Sequence, residues 1–225
     1  MFLPRAAFFA VLIAPLAAAE PLEALLARMT KAAPGAISFS AVVTQIDYTT
    51  VINESAESSG TIRLRRVKSG VIGVVDFTKP SPNTVTFKGN TMEKYMPKAN
   101  LLEIYDYGKY SKSVDQYLSL AFGLSGADLQ KTYTVKWGGE ETLAGVRVTR
   151  LELTPKDKEA LKLFAKIEVW IPEGQTYTIQ EKVYKAGSRD YLIWMYSDAK
   201  LNPPLPDSAF DFKPPAGVTR RPMKG

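Results

Sequence analysis

From Ile37 onward the apolar residues of this chain recur at every second position, in one short run after another, and that period belongs to half-buried β-strands. Ile37, Phe39, Ala41 and Val43 share one face, with Ser38, Ser40 and Thr44 on the other. The polar stretch Asn53–Ser59, closed by Gly60, reads as the first hairpin connection. Thr61–Lys68 then sets Ile62 and Leu64 against Arg63 and Arg65. Further strands are predicted at Val71–Phe77, Thr84–Lys88, Thr91–Met96, Leu101–Tyr107, Tyr133–Trp137, Gly145–Leu153, Ala165–Ile171, Tyr177–Lys185 and Tyr191–Ser197. Turn residues separate many of them, among them Lys79–Asn83, Lys88-Gly89-Asn90, Gly138-Gly139, Pro172-Glu173-Gly174 and Ala186-Gly187-Ser188. So many strands at near-regular spacing predict one large antiparallel sheet, curled or closed into a barrel. Val146 and Val148 have a parity that Leu151 and Leu153 do not share, which predicts a β-bulge near Thr149-Arg150.

Helical periods frame and interrupt the strands. Leu22, Leu25, Leu26 and Met29 form one stripe of a helix over Pro21–Lys31, with Pro21 at its first position. Ser113 and Gln116 read as a capping box ahead of Val114, Tyr117, Leu118, Ala121 and Phe122, and Gly123 stops that helix. Ser125–Asp128 caps a further turn to Lys131, and Pro155–Leu163 reads as another helix. The Pro- and Arg-rich tail after Phe212 is expected to be ordered only in part. The fold class is α+β, mainly antiparallel β: one twisted sheet with amphipathic helices laid against one face.

Residues 1–19 read as a cleaved signal peptide. Arg5 precedes an apolar run, Ala6–Leu16, and Ala17-Ala18-Ala19 stands just before Glu20. The run is shorter than the roughly 20 residues that span a bilayer. No Cys follows it, which excludes an N-terminal lipid anchor. Residues 20–225 are then expected to form a single soluble domain outside the cytoplasm.

The chain contains no Cys and no His. Its core therefore stabilises it without disulfides, and the commonest general base and zinc ligand are both missing. The net charge of +6 is scattered except at Arg63, Arg65, Arg66 and Lys68, which argues against nucleic acid as a partner. Ser197-Asp198-Ala199-Lys200 matches Ser-x-x-Lys at a strand end rather than a helix start, and chance explains it. Glu140-Glu141 falls in a turn with its carboxylates on opposite faces, and Asn53-Glu54-Ser55 is an uninformative sequon. No acid, base and nucleophile set converges, so an enzyme is not expected, and neither a cofactor nor a metal is.

Apolar excess on strands is more informative. Tyr191–Tyr196 is apolar on both faces, as in a two-sided core or a strand with a helix on one side and a ligand on the other. Arg66 has the parity of Ile62 and Leu64, so an unbroken strand aims its guanidinium at the apolar face, where it needs acceptors. The alternative is an edge-strand charge, or a strand that ends at Leu64.

The order of parts resembles the periplasmic outer-membrane lipoprotein carrier family, LolA/LolB-like. The matching stretches are Phe39-x-Ala41, Ser59-Gly60-x-Ile62-x-Leu64-x-Arg66, Asn90-x-Met92-x-Lys94-Tyr95-Met96-Pro97, Ile167-x-Val169-Trp170-Ile171-Pro172 and Phe210-x-Phe212-x-Pro214-Pro215-x-Gly217-Val218. Val67 stands where the family usually has Pro, and Leu101–Tyr110 runs differently, as in a divergent member. The resemblance implies an unclosed half-barrel with helices over its concave face and a periplasmic monomer. Such a protein takes up lipoprotein acyl chains or lipid from an inner-membrane donor complex and passes them to an outer-membrane acceptor, meeting both transiently. It implies that Arg66 is the lid latch. Under it, Leu22, Leu25, Leu26, Met29, Tyr117, Leu118 and Phe122 would form the lid underside. Val43, Ile62, Leu64, Val75, Phe87, Trp137 and Ile193 would line the concavity. The alternative on the same scaffold is a regulatory module that senses lipid or lipoprotein.

Overall fold

The computed structural model describes residues 20–223, so the signal-peptide reading lies outside the described residues. The elements run α1 (Leu22–Ala32), β1 (Ser38–Thr49), β2 (Glu54–Val67), β3 (Gly70–Lys79), β4 (Asn83–Lys88), β5 (Thr91–Met96) and β6 (Leu101–Asp106). Then come α2 (Ser111–Leu120), α3 (Gly126–Thr132), β7 (Tyr133–Leu143), β8 (Val146–Pro155), β9 (Phe164–Pro172), β10 (Gln180–Lys185), β11 (Tyr191–Leu201) and β12 (Thr219–Met223). All twelve strands join one sheet in the order β12-β6-β5-β4-β3-β2-β1-β11-β10-β9-β8-β7. Every pairing is antiparallel except the parallel one between β12 and β6. The sheet does not close. It is a curled half-barrel with the helices packed on one face, as the resemblance implies, and of the two forms that the strand pattern leaves open, curled or closed, it is the curled one.

Register shows why the period-2 pattern dictates this sheet. Phe39 lies opposite Leu64, Ala41 opposite Ile62 and Val43 opposite Tyr196, so one face of β1, β2 and β11 is continuously apolar. Those residues are buried beneath the end of α2, with Leu118, Ala121 and Phe122. A second cluster sits under α1 and α3, where Leu25, Leu26, Met29 and Leu129 meet Leu151, Leu153, Ile167, Val169 and Val183. The two halves of the concavity are therefore covered by different helices.

Several local expectations are corrected. Asn53–Ser59 is not a connection: β1 and β2 stay paired out to Thr49 and Glu54, and the polar residues lie on the part of the hairpin that projects into solvent. The extra residue predicted near Thr149-Arg150 lies instead in the facing strand, where Trp137 pairs with Leu151 and Gly139 with Arg150, leaving Gly138 unpaired. Gly138-Gly139 is thus a bulge within β7, not a turn, and Glu140-Glu141 is strand too. Glu141 pairs with Arg150 at 2.8 Å and Glu140 with Arg147 at 3.4 Å. Val148 is buried on the opposite face from Leu151 because both faces are covered there.

α2 begins at Ser111, running on from a short 3-10 turn at Gly108–Tyr110, so Ser113 lies inside the helix and caps nothing. Gln116 donates to Thr132 Oγ1 at 3.0 Å instead, tying α2 to α3. Ser125 does cap α3, its Oγ accepting from the Asp128 N–H at 2.9 Å. Pro155–Leu163 is not an α-helix: Pro155 ends β8, and only a 3-10 turn forms at Ala160–Lys162. Pro21 precedes the first helical residue rather than occupying it, and Ile37 is exposed ahead of β1. The tail crosses the sheet's outer face, where Arg65 stacks on Phe210 and Tyr95 meets Phe212, before forming β12.

Candidate functional site

The site is the seam between α2 and the concave face of the sheet. Six of the predicted residues, Ile62, Leu64, Val75, Phe87, Tyr117 and Leu118, meet there around a cavity of about 30 Å³ that is also lined by Ala121, Glu181, Trp194 and Tyr196. That volume admits a water or two and no acyl chain. Val43 and Phe122 belong to the same buried cluster without lining the gap. Leu22, Leu25, Leu26 and Met29 are brought together with the other half of the sheet, under α1. Tyr117 touches both clusters, so α2 straddles the two halves.

Two predicted residues are not brought to the site. Ile193 lies opposite Ile46 and Lys182 on the outer face, because β11 presents Leu192, Trp194 and Tyr196 to the concavity. Trp137 lies opposite Leu151 but belongs to neither cluster and is 36% exposed.

α2 is fastened by few polar contacts. Asp115 Oδ1 accepts the Val71 N–H at 3.1 Å, and burial raises the Asp115 carboxyl above its usual range while this bond partly offsets the shift. At its far end the Ala121 carbonyl accepts the Thr178 N–H at 3.2 Å. Arg66 stands at the same seam. Its guanidinium carbon lies 5.1 Å from the centre of the Phe122 ring, and Nε donates to the Ala36 carbonyl at 3.3 Å. The guanidinium thus meets the end of α2 through an aromatic face, and its acceptor is a backbone carbonyl beside β1. The Arg66 side chain is exposed at the rim rather than buried.

The sequence reading missed the most unusual group. Glu181, on the inner face of β10, is 1% exposed and lies directly opposite Trp194. Thr178 Oγ1 donates to Glu181 Oε1 at 3.0 Å. Burial pushes the Glu181 carboxyl up to about 8, against the opposing pull of hydrogen bonds from Thr178, Tyr196 and Tyr117. The Tyr117 and Tyr196 phenols are driven well above their usual range, first by burial and then by Glu181. The parity argument that singled out Arg66 also singles out Glu181, which alternates with the buried Val183.

Among the described residues no group of three or more His, Cys, Asp or Glu is placed to hold a metal ion. Nor is any helix long and apolar enough to cross a membrane.

No protein-family model and no curated protein sequence matches the chain. Solved structures do. A LolA superfamily protein from Nitrosomonas europaea is 16% identical over 86% of this chain and 99% of its own, at a TM-score of 0.40. Lipoprotein LppX from Mycobacterium tuberculosis is 17% identical over 82% and 98%, at 0.48. An uncharacterized conserved protein from Thermus thermophilus is 14% identical over 89% of this chain and 98% of its own, at a TM-score of 0.54. At that level the likeness is one of fold: the chain shares with the Thermus protein the architecture in which the seam beneath α2 is built.

Proposed function

We propose that the protein is a periplasmic carrier that shields the acyl chains of a lipoprotein or lipid beneath α2 and delivers them towards the outer membrane without covalent chemistry. The observation that carries this reading is the apolar seam closed by a helix that few polar contacts hold. Moving each CH₂ from water into such a seam is worth about 0.8 kcal/mol. An entering chain therefore offsets the displacement of α2, and the closed cavity is the empty resting state. Closure again on release keeps the apolar face out of water, as a carrier that works between two membranes requires. Arg66, resting on the Phe122 ring, is the latch. The motif order from Phe39 to Val218 supports the same reading. The chain works as a monomer, with transient donor and acceptor partners.

Native mass spectrometry of the protein purified from its own envelope fraction, with extraction of what it holds, tests this directly. Bound lipoprotein or acyl lipid is the expected result. A clean apo mass, with no uptake of added lipid or fluorescent probe, would overturn the reading and leave a filled core.

A further inference from the structure

A chamber meant only for hydrocarbon has no use for polar side chains, yet this one has four. Glu181, Tyr117, Tyr196 and Trp194 all line it. The Trp194 indole N–H is buried with no acceptor among the described residues. Such a donor costs free energy that Phe at the same position would not, and the indole is otherwise a packing group that meets Phe77 at 6.2 Å between ring centres. Glu181 faces it from the neighbouring strand, and the two phenols reach Glu181 from the lid and from β11. These groups come from three elements and line one small cavity.

We propose that this lining is a polar anchor for the carbonyl oxygen of a neutral acyl ester or amide, which the Trp194 N–H and the Glu181–Tyr117–Tyr196 cluster hold while the alkyl chain fills the apolar part of the seam. The proposal rests on the lipid-carrier reading and names the chemistry of its cargo. Because burial raises the Glu181 carboxyl to about 8, it is neutral near pH 7 and offers an O–H donor as well as an acceptor. A free fatty-acid carboxylate is a poor match, because its charge would be stripped of water with no cation lining the chamber.

The test compares lipids that differ only at the linkage. Binding of 1-palmitoylglycerol and of its ether counterpart, 1-O-hexadecylglycerol, is measured by displacement of a fluorescent probe, in the natural chain and in Trp194→Phe and Glu181→Leu. One or two hydrogen bonds to the carbonyl predict that the ester binds about 5-fold tighter than the ether. That ratio should fall to about 1 in Trp194→Phe and shrink in Glu181→Leu, with ether binding held within about twofold. N-palmitoylethanolamine as a third ligand sorts ester from amide, and whichever binds tighter identifies the linkage. Ester, amide and ether binding alike in the natural chain would sink the anchor and leave the carrier reading standing. An ester preference that survives both substitutions would sink it equally. Binding of none of the three would remove the carrier reading itself, and the anchor with it. Should a variant fail to fold, the ratio in the natural chain still decides.

Discussion

A Cβ on Gly70 would lie 2.2 Å from Oδ2 of Asp115, so any larger first residue of β3 would push aside the carboxylate of α2. Gly70 also has φ +127°, a conformation that side chains resist. The contact brings the Asp115 carboxylate to the Val71 N–H. Gly70→Ala should therefore lower stability by about 1–3 kcal/mol and loosen α2. Asp115→Ala should cost about 1–2 kcal/mol through the unpaired N–H. The steric part of the Gly70 effect should shrink when the two are combined, which urea unfolding of the four chains measures. Strict additivity would show that the two residues do not press on each other.

Glu181 predicts an unusual pH dependence. With an ordinary value of 4.5 and a folded value of about 8, the folded state keeps a proton that the unfolded state has lost. Stability is then greatest below about 4.5 as far as this group is concerned. It falls by ~1.4 kcal/mol per pH unit as pH rises towards the folded value. His and Cys, which often titrate in that window, are absent from the chain. Urea midpoints between pH 5 and 8 should therefore decline in the natural protein and flatten in Glu181→Gln. A flat natural profile would show that the carboxyl is not held in its neutral form.

Ring removal should separate the concave face from its surroundings. Phe39 is fully buried, and Phe39→Ala should cost about 3–5 kcal/mol. Trp137→Ala should cost under about 1 kcal/mol, because the indole is partly out in water and in neither cluster. Thermal melts of the two variants check this. A large loss at Trp137 would mean that the edge of the sheet carries packing not seen in the contacts of that ring.

At the rim, Arg66→Leu should change stability by about 1 kcal/mol or less, since the guanidinium is exposed. The same variant should alter transfer of bound lipid from this protein to acceptor vesicles. Transfer at the natural rate would remove Arg66 as a latch and leave α2 held by the contacts of Asp115, Gln116, Tyr117 and Ala121.

Much of this was legible in the alternation of side chains. Parity found Phe39, Ile62 and Leu64 because the other face of β1 and β2 carries polar side chains such as Ser40, Arg63 and Arg65. It failed at Ile193, where both faces of β11 are apolar and nothing local says which one meets α2. Trp137 has the right parity, yet the sequence does not show where the helices stop covering β7. Asn53–Ser59 and Gly138-Gly139 carry turn chemistry, but backbone pairing with β1 and β8 overrides it. Ser113 caps nothing because a 3-10 turn upstream starts α2 three residues before the capping box would. Glu181 was open to the argument applied to Arg66, and a single acidic residue on an inward-facing position is the signal to seek.

A sheet that stays open keeps two free rims, and each rim is a template on which another chain's strand could grow. Here β12 ends the sheet with Arg220, Arg221 and Pro222, the last of which has no N–H to offer. The opposite rim, β7, carries an unpaired Gly138 and the charged Lys136, Glu140 and Glu141. A second copy approaching either rim meets like charge, a missing donor or a broken ladder. The half-barrel can thus forgo closure without inviting fibrous self-association.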